Sequence, residues 1–288
     1  MAADPDGTSS ATPAADADRA LSTSFRMYDA GRRAAAAWRA LFDRVFADLA
    51  LDIRIIEHRW PDPIDALWQR PDLCGAFMCG WPFVRSARAM QPIVAPVPSP
   101  PRYAGLPRYC SEFLVRADSG WTSLAQTFGH RFGWMAADSQ SGFNAPRAYL
   151  ASFTTTERPN LYAEVEGPLG APATVLDALQ AGTVDVVALD GFYLDLSRRH
   201  QPERLAGLAT VARTPWAPIP LLVAAPGIEP EVVDALRTKL IALHRDASYA
   251  PLLDDVLLAR FAVPDLPAYA QLEAMATYAI ERGYATIR

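Results

Sequence analysis

Beyond its first 20 residues, the chain alternates short apolar runs with longer amphipathic stretches. Leu73–Met78 is a continuous apolar run, typical of a buried strand, that stops at Cys79-Gly80. Residues 33–49 instead place large apolar side chains three and four positions apart, which predicts a helix with one buried face. The repeated alternation of such segments predicts an α/β fold with mostly parallel sheets.

The same pattern divides the rest of the chain into elements. The predicted strands cover residues 22–28, 52–57, 73–78, 113–116, 132–136, 184–189 and 221–224. The predicted helices cover residues 33–49, 64–68, a segment starting near 143, 173–181, 230–243, 249–261 and 267–282. Residues 92–101 hold five prolines, so they are predicted as an extended connection rather than a helix.

Polar and aromatic residues follow four of the predicted strands at the point where each strand ends. These residues are 28–29, 79–81, 139–142 and Asp190. In open α/β sheets the carboxyl ends of the strands form the edge at which ligands bind. We therefore expect the four groups to lie on one ligand-binding edge.

The segment after the predicted strand 132–136 carries the strongest local signal. Ser139 and Ser141 come directly before a predicted helix, where free backbone N–H groups and the positive end of the helix dipole favour an anion. Pro146 fits this placement, because a proline in the first turn of a helix removes no intrahelical hydrogen bond. The same serines are also typical of simple helix N-caps, so both interpretations stand.

Composition excludes several classes of protein. The formal net charge of −5 and the absence of a basic run argue against a nucleic-acid partner. Lys239 is the only lysine and falls within a predicted helix, which excludes Schiff-base and P-loop chemistry. The three cysteines and four histidines show no metal-ligand spacing, so no metal or cofactor is predicted. The sequence has no apolar run long enough to cross a membrane.

The first 20 residues are acidic and poor in large apolar side chains. Such a segment cannot bury enough surface to fold, so a disordered tail is predicted over residues 1–21. It lacks the basic start and apolar stretch of a signal peptide. The sequence therefore leaves open a cytoplasmic protein and an exported protein whose leader has been removed.

Several blocks in sequence order carry a family resemblance. They are Ser24-Phe-Arg-Met-Tyr-Asp29, Leu67-Trp68, Pro71-Asp72-Leu73, Cys79-Gly80-Trp81-Pro82, Asp138-Ser-Gln-Ser-Gly-Phe-Asn-Ala-Pro-Arg-Ala148, the segment from Val175 to Asp190, and Thr214 to Pro220. These blocks resemble the phosphonate/phosphite-type (PhnD-like) substrate-binding proteins of ABC transporters, which are type II periplasmic binding proteins. The Ser-x-Ser-Gly turn and the Gly-x-x-Asp-x-x-x-x-Asp block are the most specific parts.

The resemblance implies an α/β fold of two lobes joined by two hinge-crossing strands. Lobe 1 would comprise residues 22–117 and 214–288, and lobe 2 would comprise residues 118–213. The crossing strands are expected near 112–116 and 218–223. A ligand would be closed between the lobes, and hinge closure alone, without catalysis, would serve ABC-type import.

The resemblance also implies a set of ligand-binding residues. These are Ser139, Gln140, Ser141, Gly142 and Phe143 at the anion-binding turn, Asp190 as an acceptor, and Tyr28 and Trp81 as a cover from lobe 1. No catalytic residue, metal or cofactor is implied. The expected partners are a small-molecule ligand and a membrane permease, and the protein is expected to be a monomeric periplasmic solute-binding protein.

Two departures from the family pattern bear on the ligand. Residues 165–172 lack the histidine that phosphonate-binding members carry there, and Glu166 lies nearby. The aromatic residue after Cys79-Gly80 is Trp81 where tyrosine is common. No lysine or histidine falls in the matching blocks, and Arg147 comes a turn later on the helix. We therefore expect an anionic or zwitterionic ligand with at most one full negative charge at the serines and an amine or amide facing Asp190. Tyr28 and Trp81 would stack on its body, with Trp216 as a further candidate.

Two alternative functions remain open at this stage. One is a soluble enzyme of a cofactor-biosynthesis type on the same two-lobe fold, with Cys79 as nucleophile and Asp190 or Glu166 as base. The other is a ligand-sensing module that acts on a protein partner. Neighbouring genes for a permease and an ATPase would favour transport over both.

Overall fold

The computed structural model describes residues 20–288. The predicted tail over residues 1–21 falls almost wholly outside the described residues. Among residues 20–288, no helix combines the length and the apolar character needed to span a bilayer.

The elements of the fold are as follows, in chain order. The strands are β1 Leu21–Ser24, β2 Ile53–Ile55, β3 Leu73–Met78, β4 Gln91–Pro98, β5 Arg108–Tyr109, β6 Ser111–Arg116, β7 Arg131–Gly133, β8 Glu164–Glu166, β9 Val186–Asp190, β10 Leu208–Arg213, β11 Ala217–Pro218, β12 Leu221–Ala224 and β13 Leu258–Ala262. The helices are α1 Arg32–Leu49, α2 Ile64–Trp68, α3 Gly80–Arg85, α4 Ala145–Ala151, α5 Pro172–Gln180, α6 Gly191–His200, α7 Pro230–Ala242, α8 Ala250–Asp255 and α9 Ala270–Glu281.

The strands form two separate main sheets. One has the order β13-β4-β12-β3-β1-β2 and the other has the order β10-β6-β9-β7-β8. The sheet that contains β1, together with the helices that cover it, is called the first lobe. The sheet that contains β6, together with its helices, is called the second lobe. Six of the ten strand pairs in residues 20–288 are antiparallel, so the expectation of mostly parallel sheets was wrong. The antiparallel pairs arise where the chain enters or leaves a lobe and runs back along its sheet.

A short third sheet joins the lobes. Tyr109 of β5 lies opposite Ala217 of β11, and Arg108 lies opposite Pro218. These strands form the hinge, which includes Pro218 of the predicted crossing. The other predicted crossing, residues 112–116, instead lies in β6, which pairs with β9 and β10 inside the second sheet. Antiparallel pairing in the second sheet begins at Ser111, soon after the hinge strand β5.

The last helix complicates a simple division of the chain. α9 packs against α4. Ala279, Tyr284 and Ile287 are buried in the same apolar cluster as Phe113 and Phe132 of the second sheet. The end of the chain, predicted to belong to lobe 1, thus contributes to the core of the second lobe. The exact lobe boundaries stay a prediction.

Two local predictions were wrong. The helix predicted over residues 249–261 ends at Asp255, and Leu257 has a positive φ of 52°, which ends the helical path. Leu258–Ala262 then forms the edge strand β13 along β4, which buries Phe261 completely. The proline-rich segment predicted as a connection forms β4, which pairs with both β12 and β13.

An aromatic cluster under the first sheet fixes the residues that follow β1. The ring of Tyr28 packs edge-on against Phe77 at 5.0 Å and is stacked near Trp38 at 6.2 Å between centroids. All three side chains are buried. Burying a large apolar side chain stabilises a fold by about 1.5–3 kcal/mol, so this cluster holds Tyr28 firmly.

Candidate functional site

A cleft of about 630 Å³ lies between the two lobes. It runs along the carboxyl ends of β1, β3, β7 and β9, the ligand-binding edge predicted from the sequence. From the first lobe it is lined by Arg26, Met27, Asp29, His58, Arg59, Trp60, Pro63, Ile64, Asp65, Trp68 and Cys79. From the second lobe it is lined by Met135, Ala136, Asp138, Ser139, Ser141, Pro168, Gly170, Ala171, Pro172, Ala173, Asp190 and Tyr193.

Ser139 caps a helix at one end of the cleft. A single π-helical turn, Gln140–Asn144, runs directly into α4, so the helix begins three residues earlier than predicted. The Ser139 hydroxyl accepts a hydrogen bond from the Gly142 N–H at 2.9 Å, and its carbonyl accepts one from the Asn144 N–H at 3.0 Å. The Ser139 O–H hydrogen stays available as a donor, because a hydroxyl both donates and accepts.

Ser141 is the second polar group of this turn. Its side chain is buried, lines the cleft and makes no hydrogen bond to any of residues 20–288. The N–H of Gly142, in contrast, is already bound to Ser139 and is not free in this conformation. Ser139 and Ser141 therefore present hydroxyl groups to the cleft at the N-terminus of a helix, the arrangement that favours an anion.

The other residues predicted at this turn support its structure. Gln140 is fully buried, and its side chain accepts a hydrogen bond from Asn144 and donates one to Met275. Phe143 packs against Trp134, with ring centroids 5.2 Å apart, and the Arg147 guanidinium lies over the Phe143 ring. Arg147 also donates to the carbonyl of Ala285, so its charge is directed to the C-terminal segment. The ligand roles of Gln140, Gly142 and Phe143 stay predictions.

Asp190 lies at the carboxyl end of β9, in the wall of the cleft. Its Oδ1 caps α6 by accepting hydrogen bonds from the N–H groups of Phe192 and Tyr193 at 2.7 and 3.1 Å. Its Oδ2 accepts only a long hydrogen bond, 3.5 Å, from the Tyr28 hydroxyl within the described part of the chain. Burial raises the pKa of Asp190 to about 7, although the two backbone N–H groups oppose the shift. Asp190 Oδ2 can therefore accept a further hydrogen bond from a ligand.

The three aromatic residues predicted to stack on the ligand lie outside the cleft lining. Tyr28 is fully buried beneath the cleft and reaches it only through Asp190. Trp81 lies in the first turn of α3, where it is buried and covered by the Arg85 guanidinium 4.8 Å from the ring centroid. Trp216 packs at the hinge against Tyr103. None of the three is a lining residue: the chain after each strand directs the rings of Tyr28 and Trp81 into the protein, and the half-buried ring of Trp216 is covered by Arg108.

The sequence pattern missed the two loops that close the mouth of the cleft. Trp60, half-exposed in the first lobe, lies over Gly170 of the second lobe so closely that a Cβ at residue 170 would overlap its ring. Gly170 also has a positive φ of 88°, a conformation that glycine adopts readily. Trp68 and Met135 add apolar surface to the cleft. Residues 57–63 carry no periodic apolar pattern, so the sequence does not mark Trp60 as a cleft residue. Its place in the cleft depends on how the two lobes pack.

Negative charge outweighs positive charge in the cleft. Its described lining includes four carboxyl groups, of Asp29, Asp65, Asp138 and Asp190, and two guanidinium groups, of Arg26 and Arg59. Burial raises the pKa values of Asp29 and Asp138.

Both arginines already have partners. Arg59 lies 3.3 Å from Glu57 and 3.9 Å from Asp29, and Arg26 donates to the carbonyl of Asp62 at 2.5 Å. Glu166, predicted to lie near the serines, is exposed and outside the cleft lining, because β8 is the edge strand of its sheet.

The cysteines do not form a reactive centre. Cys79 lines the cleft, but burial raises its pKa to about 12, so the group is a neutral thiol at physiological pH. Cys74 and Cys110 are also buried and free. No cluster of three metal-ligating side chains occurs among residues 20–288.

Comparisons with solved structures agree with this architecture. A binding protein component of an ABC phosphonate transporter from Pseudomonas aeruginosa superposes with a TM-score of 0.75, at 16% identity, over 91% of this chain and 87% of the other. PhnD1 from Prochlorococcus marinus, solved with methylphosphonate, gives a TM-score of 0.70 at 16% identity over 89% and 97% of the two chains. A Xanthomonas citri protein solved with ATP gives 0.61 at 19% identity over 91% and 98%. The two-lobe type II fold is confirmed.

No curated protein sequence matches the chain closely enough to count as a relative. Residues 75–269, however, match the family described as the periplasmic substrate-binding protein of phosphonate ABC transporters. This family consists of transport components rather than enzymes, which sets aside the interpretation of Cys79 as a nucleophile. The predicted resemblance is confirmed, and the chain belongs to the periplasmic substrate-binding proteins of phosphonate ABC transporters.

Proposed function

We propose that this protein captures a small zwitterionic solute, an amine-bearing phosphonate or a close analogue, between its lobes for import. The anionic group of the ligand binds the hydroxyls of Ser139 and Ser141, and its amine binds Asp190. This proposal names the ligand class within a family of phosphonate transport components. The main support for this proposal is Asp190. Its Oδ2 is a buried acceptor in the cleft whose one hydrogen bond within the described chain, from Tyr28, is long.

The charge of the cleft supports a ligand with a cationic group. The four lining carboxyl groups disfavour a ligand that carries only negative charge, and of the two lining arginines Arg59 already lies beside Glu57 and Asp29. A dianionic phosphonate would find neutral hydroxyl donors at Ser139 and Ser141, while the guanidinium of Arg26 donates to the carbonyl of Asp62. A charge-assisted hydrogen bond stabilises by about 1.5–3 kcal/mol, which an amine gains at Asp190 and a simple alkylphosphonate does not.

The volume and shape of the cleft fit the same class of ligand. The apolar surfaces of Trp60, Trp68 and Met135 lie between polar groups of both lobes. The contact of Trp60 with Gly170 closes the mouth over the ligand. A cleft of about 630 Å³ is within the range of sites for small organic molecules.

The expected partners follow from the family. A substrate-binding protein of an ABC transporter delivers its ligand to a membrane permease. We propose that this chain acts in the periplasm as a monomer, since one cleft between two lobes of the same chain binds one ligand. Cell fractionation and light scattering of the purified protein test these two statements.

A pair of ligands and a pair of variants test the ligand class. 2-Aminoethylphosphonate and ethylphosphonate differ only in the amine, and isothermal titration calorimetry gives the dissociation constant of each. We expect the wild-type protein to prefer the amine-bearing ligand by about tenfold or more, the equivalent of one charge-assisted hydrogen bond. Asp190→Asn should remove most of this preference.

Asp65→Asn is the matched control. Asp65 also places a carboxyl group in the cleft lining, but its side chain is exposed, so its loss should change the preference by much less. Tight binding of ethylphosphonate that is unaffected by Asp190→Asn would contradict the proposed ligand class.

A further inference from the structure

A buried carboxylate lies just beyond the hinge and is held by groups from several elements. Glu112 of β6 is fully buried and accepts hydrogen bonds from Arg102 at 2.5 Å, Arg198 at 2.9 Å and Thr210 at 2.8 Å. Burial by itself would raise the pKa of Glu112, but Arg198 and Arg102 outweigh it and lower the pKa to about 2. Glu112 is therefore ionised at any physiological pH.

Arg102 reaches this network from the other lobe. It lies in the 3₁₀ turn Pro101–Tyr103, between β4 of the first lobe and the hinge strand β5. The turn is bound to the first lobe on both sides, because Ser99 N–H donates to Leu257 and Arg260 donates to Gly105. The side chain of Arg102 thus crosses from the first lobe to the second beside the hinge.

The second-lobe partners of Arg102 surround the start of α6. Its Nη2 donates to the carbonyl of Gly191 at 2.7 Å, and its Nε and Nη2 donate to Asp195 at 3.0 and 2.7 Å. Gly191 directly follows Asp190, the N-cap of α6. A Cβ at residue 191 would lie 3.0 Å from the Arg102 guanidinium, so the close approach uses the absence of a side chain there.

We propose that Arg102 is a positioning residue for ligand capture. By binding the first turn of α6 from the first lobe, Arg102 sets, together with the Tyr103 hydroxyl that donates to Asp195 at 2.7 Å, where Asp190 lies relative to Tyr28 and to the first-lobe wall of the cleft. The Tyr28–Asp190 hydrogen bond, 3.5 Å long, is too weak to set this position by itself. The inference rests on the proposed function for its effect on binding, but the effect on lobe geometry is independent of any ligand.

Arg198 provides a matched comparison. It binds the same two carboxylates as Arg102, with Nη1 2.8 Å from Asp195 and Nη2 2.9 Å from Glu112. Arg198 belongs to α6, however, so all these contacts lie within the second lobe. Loss of either arginine removes ion pairs with the same carboxylates, but only loss of Arg102 removes a link between the lobes.

The test compares Arg102→Gln with Arg198→Gln in the ligand-free protein. Nitroxide labels on Asp52→Cys and Glu164→Cys, exposed positions near the outer edge strands β2 and β8, report the distance between the lobes by pulsed electron paramagnetic resonance. The three native thiols are buried, so brief labelling leaves them unmodified. We expect Arg102→Gln to lengthen and broaden the distance distribution and Arg198→Gln to leave it as in the wild type.

Calorimetry with 2-aminoethylphosphonate extends the test to binding. Arg102→Gln should weaken binding by about tenfold or more, and Arg198→Gln by less than about threefold, because only the first loses charge-assisted hydrogen bonds between the lobes. A wild-type protein that does not bind this probe contradicts the proposed function, while the label distances still test Arg102.

The outcome that overturns the inference is the same distance distribution in both variants. If Arg102→Gln does not fold, Arg102→Lys replaces it, because lysine keeps the charge but not the planar fork of donors. Arg102→Lys should give an intermediate shift in distance. Wild-type distances in that variant would also overturn the inference.

Discussion

The two ends of the ligand cleft differ in how far along the chain their hydrogen bonds reach. At the serine end, Ser139 binds Gly142 and Asn144 within the same turn. At the Asp190 end, the carboxylate meets Tyr28, which is 162 positions away, and the following residue, Gly191, meets Arg102, which is 89 positions away. The cap that Ser139 forms therefore depends on the turn alone, although Gln140 and Asn144 of that turn also bind α9, whereas the surroundings of Asp190 Oδ2 depend on how the lobes meet.

This difference assigns different tasks to the two ends. The serine hydroxyls are neutral donors, so they recognise an anionic group without adding charge to the cleft. Asp190 is buried and ionisable, so its contribution depends on pH and on a cationic partner. Three experiments test this comparison further.

The largest effect is expected from the ionisation of Asp190. Its pKa of about 7 lies above the ordinary value, so the folded state favours the protonated carboxyl. The contribution of Asp190 to the free energy of unfolding is fully present below about pH 4. It is lost as the pH rises to about 7, and the loss is at most about 4 kcal/mol. The free energy of unfolding of the wild-type protein should therefore fall relative to Asp190→Asn across that range, as measured by urea denaturation at several pH values.

Binding should show the opposite trend. The charged carboxylate pairs with an amine, so the affinity for 2-aminoethylphosphonate should rise as the pH increases through about 7. Parallel stability curves for the wild type and Asp190→Asn would contradict the raised pKa.

An intermediate effect is expected at the serine end from Gly142→Ala. A Cβ at residue 142 would lie 2.6 Å from Met135 Cβ and 3.0 Å from Ser139 Oγ, so the turn must shift to accommodate it. Overpacking of this kind destabilises by about 1–3 kcal/mol. Denaturation by urea measures the loss of stability, and calorimetry measures the accompanying loss of affinity.

Gly227→Ala is the matched control for this variant. Residue 227 has open space around the position of a Cβ and no positive φ. The same substitution there should leave the stability within about 1 kcal/mol of the wild type. An equal loss in the two variants would show that the serine turn is no more constrained than an open loop.

The smallest effect is expected from the separate serine substitutions. Ser139→Ala removes a helix cap and should lower the stability by about 0.5–2 kcal/mol. The Ser141 side chain makes no hydrogen bond to the described residues, so Ser141→Ala should leave the stability nearly unchanged and weaken ligand binding instead, by about 0.5–1.5 kcal/mol. Thermal unfolding measures the effect of each variant on stability, and calorimetry measures its effect on affinity. Unchanged affinity in Ser141→Ala would assign this turn to structure alone.

Much of the secondary structure was predictable from the sequence. The bounds of α2, β3 and β12 are as predicted, and α1 begins one residue earlier than predicted. Periodicity of apolar residues sufficed for these elements because each buries one face or both in the core of the first lobe. The segment 249–261 misled the same argument, because a short apolar run fits an edge strand as well as a helix.

The site was predictable in part. Ser139, Ser141 and Asp190 line the cleft because a strand end and the N-cap that follows it are local features. Trp81 and Tyr28 follow strands too, but the path of the chain after each strand directs their rings inward. Trp60 and Asp138 line the cleft without any periodic signal that marks them.

The sequence by itself thus determined the strands, the helix caps and the family, since these depend on residues within a few positions of one another or on motifs in a set order. The tertiary structure decided which side chains face each other across the cleft. The contact of Trp60 with Gly170 and the bonds of Arg102 to Gly191 and Asp195 join distant parts of the chain. Such contacts form only when the hinge strands bring the two lobes together, so no local pattern specifies them.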